Sequence, residues 1–167
     1  MTKKINYVQI IFHFIGTYFI IFSFQSFSWL KDLKIIELTE IHGARNVFDN
    51  QEKYGITPVD IALISFWPSV ACLVGIVFGF ITSIVISKIK KWSILNSFIV
   101  LIITYLLYRF HLLGWDYIRK FLSVGRFIDD YQSIFIINGS LLLIIGLIIF
   151  FSKWTNRIIQ NQYQKTN

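Results

Sequence analysis

Four stretches of the chain are apolar all the way round: Tyr7 to Leu30, Ile61 to Ser87, Trp92 to Leu113 and Tyr131 to Ser152. Each comes close to the roughly 20 residues that a helix needs to cross about 30 Å of hydrocarbon. Asp, Glu and Lys are missing from all four, and the single Arg in them, Arg109, lies near the end of the third. Membrane-spanning strands would instead alternate apolar and polar positions over segments of about ten residues. The pattern therefore predicts an all-α integral membrane protein, a four-transmembrane-helix bundle in a single membrane domain over 1–167.

The polar stretches between these runs differ in kind. Lys88 to Lys91 is so short that the second and third spans must be antiparallel neighbours. The first connection, 31–60, has room for structure of its own. Leu33, Ile36, Glu37, Glu40 and Ile41 fit a short helix, His42-Gly43 breaks it, and the polar stretch through Asn50 reads as loop. Thr57-Pro58-Val59-Asp60 then opens the second span with an N-cap, a proline at the first helical position and an acidic third residue. In the third connection, 114–130, Trp115, Ile118 and Leu122 share one helical face, which predicts a short helix lying in the outer interface.

Composition narrows the class further. With 55% hydrophobic, 18% aromatic and 15% charged residues in 167, the chain is too apolar to hide its surface in one soluble core. A water-soluble enzyme and a disordered chain are both excluded. Lys3 and Lys4 precede the first run, but that run is too long for the apolar core of a signal peptide and lacks a small-residue cleavage site, so it is read as retained.

Charge placement sets the expected orientation. Lys3, Lys4, Lys88, Lys90, Lys91, Lys153, Arg157 and Lys165 lie on one side of the four-span arrangement with no acidic residue among them. All nine acidic residues fall in the other two connections. Cytoplasmic segments are enriched in Lys and Arg, so both termini are expected in the cytoplasm, N-in and C-in, at the inner (plasma) membrane of a bacterium. The net charge of +7 is thereby a topology signal, with membrane lipid and not nucleic acid as the partner it implies.

Small residues make the most regular pattern. Ala71, Gly75, Gly79, Ser83 and Ser87 recur at every fourth position of the second span, a ridge that lets two backbones approach closely. Either another helix of the chain or a partner protein could pack on it. Pro68, one turn above, removes a helical hydrogen bond. On the first span Gln9, His13, Gly16, Thr17 and Ser23 form a polar stripe that should look into the bundle. His13 lies about 9 Å inside the cytoplasmic boundary, at a depth shared by Ser83 and by Asn96 or Ser97. An intramembrane ionisable residue is a functional-site hypothesis, while a histidine bonded to Ser or Asn is also an ordinary contact between helices. Thr104 on the third span and Asn138 on the fourth supply further polar groups.

Chemistry has few carriers. His13 and His111 lie near opposite surfaces and could not both ligate one haem. Cys72 is the only cysteine, so thiol metal sites and intramolecular disulfide exchange are not expected. Glu37, Glu40 and His42 are ligand types at loosely suitable spacing, and His42, Arg45 and Asp49 are the best groups for an enzyme, but nothing in the sequence brings either set together. No catalytic residue, no metal and no cofactor is therefore assigned. The sequence points to an accessory, assembly or regulatory subunit that binds other integral membrane protein subunits through helix packing. The alternative is an oligomeric carrier or channel for a small solute or lipid, lined by the polar stripes.

Overall fold

The computed structural model describes residues 5–114 and 127–165. These are all-helical, with no strand among them. In chain order they are α1 (Tyr7–Ser28), α2 (Leu33–His42), α3 (Ala44–Asp49), α4 (Pro58–Ile89), α5 (Ile94–Arg109), α6 (Tyr131–Phe151) and α7 (Lys153–Lys165), with single 3-10 turns at Trp29–Lys31 and Glu52–Tyr54. Among the described residues three stretches, Tyr7–Lys31, Pro58–Ile89 and Tyr131–Gln164, are long and apolar enough to cross a membrane.

Burial is arranged as a bilayer requires. Outward positions on the long helices are apolar, such as Val77 and Ile81 on α4, Ile102 on α5, and Ile144 and Ile148 on α6. Much of the interior is polar, with Gln9, Ser23, Ser83, Ser87, Asn96, Ser97 and Thr104 fully enclosed. The hydrocarbon core of a bilayer cannot hydrogen-bond to side chains, so polar groups gain by turning towards one another.

Helix ends are set by local chemistry. Asn6 caps α1, its side chain accepting from the N–H of Gln9 at 2.9 Å. Thr57 and Asp60 form a reciprocal capping box at the start of α4, with Pro58 in the first turn, and the helix continues unbroken through Pro68. Asp130 caps α6, and hydrogen bonds from the hydroxyl and backbone N–H of Ser133 hold its carboxyl below the usual carboxylate range. Both α4 and α5 end in a paired closure in which a residue at positive φ, Lys91 or His111, turns the chain. Trp92 N–H then reaches Ser87 O at 2.8 Å, and Leu112 N–H reaches Leu107 O at 2.8 Å. These closures shorten α5. It has 16 residues, about 24 Å, where the apolar run extends from Trp92 to Leu113.

α1 is the central helix, with α4 and α6 antiparallel to it on two sides. Ile20, Ile86, Trp92, Phe150, Ile159 and Tyr163 form one core cluster, and Ile21, Cys72 and Ile76 form another. A third core, Ile35, Val47 and Ile56 with Leu38, Tyr54, Ile61 and Ile64 around it, belongs to a small cap built from α2, α3 and the start of α4.

One sequence expectation needs correction. The stretch read as loop through Asn50 contains α3, because Val47 is completely buried against Ile35 and Ile56 and anchors a helical turn that polarity alone would not reveal. The segment after Ser152, for which the sequence pattern predicts no element, is a further helix, α7. Ser152 adopts an extended backbone that ends α6, and its hydroxyl accepts from the N–H of Thr155 at 3.0 Å to start α7. The proposed interfacial helix of Trp115, Ile118 and Leu122 lies outside the described residues.

Candidate functional site

The small-residue ridge and the polar stripe turn out to be two sides of one seam. Each step of four along α4 meets a step of four back along α1: Gly75 faces Ile21, Gly79 faces Thr17, Ser83 bonds His13 and Ser87 bonds Gln9. The upper half of this seam is close packing of two glycines of α4 on α1, against backbone at Gly75 and against a side chain at Gly79. A Cβ added at Gly75 would lie 2.6 Å from Ile21 Cα, and one at Gly79 would lie 2.5 Å from Thr17 Cγ2. Ala71, the first member of the ridge, is half-buried.

The lower half is a hydrogen-bonded network, and counting protons fixes its direction. Gln9 Nε2 donates to Ser87 Oγ at 2.8 Å, and the Ser87 hydroxyl spends its one proton on the carbonyl of Ser83 at 2.7 Å. The 3.1 Å contact between Ser87 and Ser97 must then be donated by Ser97. Ser83 therefore donates to Ser97 at 2.8 Å, and His13 Nδ1 donates to Ser83 Oγ at 2.7 Å. This assigns the Nδ1–H tautomer. Nε2 is left as a buried lone pair without a partner, with the ring centroid of Phe150 at 5.1 Å and that of Trp92 at 6.1 Å from the imidazole. A relay needs a second group at that nitrogen, and none of the described residues bonds it.

The network continues across the end of the bundle. Asn96 Nδ2 donates to Gln9 Oε1 at 2.6 Å and to Tyr163 Oη at 3.0 Å. Tyr163 in turn donates to Gln9 Oε1 at 2.6 Å and accepts from Ser93 N–H at 3.1 Å. Asn6 N–H reaches Asn96 Oδ1 at 3.3 Å, and Trp92 Nε1 donates to Gln160 Oε1 at 2.9 Å. Four helices, α1, α4, α5 and α7, thus share one polar knot. Spacing alone placed His13, Ser83, Asn96 and Ser97 at a common depth, but it missed Tyr163. The available signal was Thr155, Ile159 and Tyr163 at every fourth position, all buried, on a stretch whose other positions are exposed or half-buried and mostly polar.

The remaining candidates are local. Thr104 is enclosed, yet its hydroxyl bonds the carbonyl of Val100 in its own helix at 2.7 Å. Asn138 lies buried on α6 beside Gly139, whose carbonyl accepts from Ser23 Oγ at 2.7 Å. In the cap, Arg45 Nε is 3.6 Å from Asp49 Oδ2, both side chains exposed, while the His42 ring packs at a tilt on Tyr54 with ring centroids 5.0 Å apart. Among the described residues, no three His, Cys, Asp or Glu side chains gather where a metal could bind.

The knot predicts a test of α7. In Tyr163→Phe the N–H groups of Ser93 and Asn96 lose their shared acceptor, at a cost of about 1 kcal/mol. Trypsin cleavage at the exposed Lys153 and Arg157 should quicken, while the spans stay folded. An unchanged cleavage rate would show that the apolar contacts of Ile159 hold α7 unaided.

Comparison with protein-family models, with curated proteins and with solved structures returns no match for the chain.

Proposed function

We propose that the protein is an accessory, assembly or regulatory subunit of a larger membrane complex. Apolar side chains left exposed on the folded cap carry this reading: Ile41 on α2 is 73% exposed and Phe48 on α3 is 36% exposed, although the cap has a core of its own to bury them in. Apolar side chains exposed outside the spans mark a contact surface where they form one patch. The α4 ridge is already occupied by α1, so the cap replaces it as the surface offered to a partner. A carrier is the less favoured reading because the groups that would line a path are bonded to one another across the seam.

The topology proposed with this function has four spans, α5 being the third, and both termini on the cytoplasmic side where Lys88, Lys90, Lys91, Lys153 and Arg157 lie. The cap then faces away from the cytoplasm.

The experiment is purification from the native membrane in mild detergent, repeated with Ile41→Glu. A partner should co-purify stoichiometrically with the wild type and fall at least about tenfold with the variant, whose thermal stability stays within about 0.5 kcal/mol because the position is exposed. A homogeneous homo-oligomer without partner, unaffected by the substitution, would transfer the argument to the carrier.

A further inference from the structure

At the end of the bundle opposite the knot, a groove of about 230 Å³ opens between the Trp29–Lys31 turn, α2 and the first turns of α4. Lys31, Asp32, Lys34 and Asp60 supply its charges, and Leu63 and Trp67 supply its apolar wall. Asp32 is the anomaly. It stands at the N-cap of α2, where an aspartate ordinarily accepts from the helix N–H groups, yet its side chain makes no capping bond. Only its backbone carbonyl serves the helix, accepting from Ile35 and Ile36 at 3.0 Å. The residue is 6% exposed, and its Oδ2 is buried without any hydrogen-bond partner. Burial holds the carboxyl above the usual carboxylate range.

Neither lysine relieves it. Lys31 Nζ sits over the Trp67 ring at 5.1 Å, and Lys34 Nζ donates to the carbonyl of Gly55 at 2.9 Å. Asp60 is already engaged by the N–H and hydroxyl of Thr57 at 2.8 and 2.7 Å. Two cations and two anions leave the groove with no net charge but with its charges separated. A lone anion would meet two carboxylates there, and a lone cation would meet two ammonium groups. A net-neutral zwitterion fits both sets at once.

We propose that this groove binds the headgroup of a phospholipid carrying a primary ammonium, of the phosphoethanolamine type, with the ammonium on Asp32 and the phosphate near Lys31 and Lys34. Position supports a lipid as the source. The groove lies where α1 leaves its apolar stretch and α4 enters one, with a Trp and a Lys together at that level, as at a membrane interface. Trp67 and Leu63 descend from it along α4, and acyl chains would follow them. A primary ammonium is required because the Asp32 carboxylate, which lines the groove and has no hydrogen-bond partner for its enclosed Oδ2, is relieved by an N–H donor at the groove wall; the trimethylammonium of a choline headgroup has none.

The test measures lipid retained by the protein in nanodiscs of equal phosphatidylethanolamine, phosphatidylcholine and phosphatidylglycerol, read by native mass spectrometry. The wild type should retain phosphatidylethanolamine about tenfold over phosphatidylcholine, the worth of one hydrogen bond to a charged group. Asp32→Asn should bring that ratio close to one. Lys31→Gln should lower total retention while keeping the preference, and this second variant leaves Asp32 and the α2 backbone untouched. Equal retention of ethanolamine and choline lipids by the wild type would overturn the proposal, as would a preference that survives Asp32→Asn in protein of unchanged helicity. Soluble glycerophosphoethanolamine at millimolar concentration should not displace the lipid; displacement without acyl chains would overturn the lipid as the source.

Discussion

Replacing Gly75 by alanine is expected to destabilise the bundle more than replacing Gly79 by alanine, although the two contacts have almost the same length. The new methyl at Gly75 meets Ile21 Cα at 2.6 Å and Ile21 N at 3.3 Å, which are backbone atoms and can yield only if α1 and α4 move apart. The methyl at Gly79 meets the side chain of Thr17. Thr17 Oγ1 has no hydrogen-bond partner, so the side chain can change rotamer without breaking a bond. Isoleucine at Gly75 should be worse, about 3 kcal/mol or more, the upper end of overpacking costs, because the displaced helix would also lengthen the Ser83–His13 and Ser87–Gln9 bonds further along the seam. Thermal unfolding of the purified protein in detergent checks the ranking. Gly75→Ala as stable as the wild type, or milder than Gly79→Ala, would show that the helices are less closely seated than these distances imply.

How much of this seam is legible in the sequence follows from its period. A helix repeats its face every three to four residues, so a small residue at each fourth position of α4 is visible as a ridge without knowledge of its partner. The partner is not visible, because α1 offers Ile21, Thr17, His13 and Gln9, which share no residue type. The second seam is harder to see. Gly139 and Gly146 on α6 receive Phe27 and Ile20 of α1, and Gly16 of α1 receives Phe150, so small and large residues alternate between the two helices. Only seven-residue spacing on α6 hints at it.

Elements outside the spans were legible where a cap residue marked them and obscure where tertiary contact did. Thr57, Pro58 and Asp60 announce α4 through local bonds. By contrast α3 has a single buried side chain, and α7 is held by Ile159 and Tyr163 against residues far away in sequence. A six-residue or amphipathic segment of this kind is stabilised by packing and not by propensity, and a linear reading sees only its polar face. The unpaired carboxylate of Asp32 has the same origin: the residue type predicts a cap, and only the fold shows that it does not serve as one.

Gln9→Leu should be the most damaging substitution in the polar knot. It removes little volume, but Gln9 Oε1 accepts from both Asn96 Nδ2 and Tyr163 Oη, and Nε2 donates to Ser87. Two buried donors then lose the acceptor they share, one on α5 and one on α7, at about 1–3 kcal/mol each where no water reaches them. Partners available in the unfolded, membrane-embedded state lower this, so a total of about 2–4 kcal/mol is expected. Non-additivity distinguishes the network from simple packing. In Gln9→Leu with Tyr163→Phe the phenol proton that had lost Gln9 is gone as well, so the double variant should lose less than the sum of the two single variants by about 1 kcal/mol. Equilibrium unfolding of the four proteins in one detergent measures that coupling. Strict additivity would mean that Gln9 and Tyr163 act independently and that α7 is attached to the bundle by its apolar face alone.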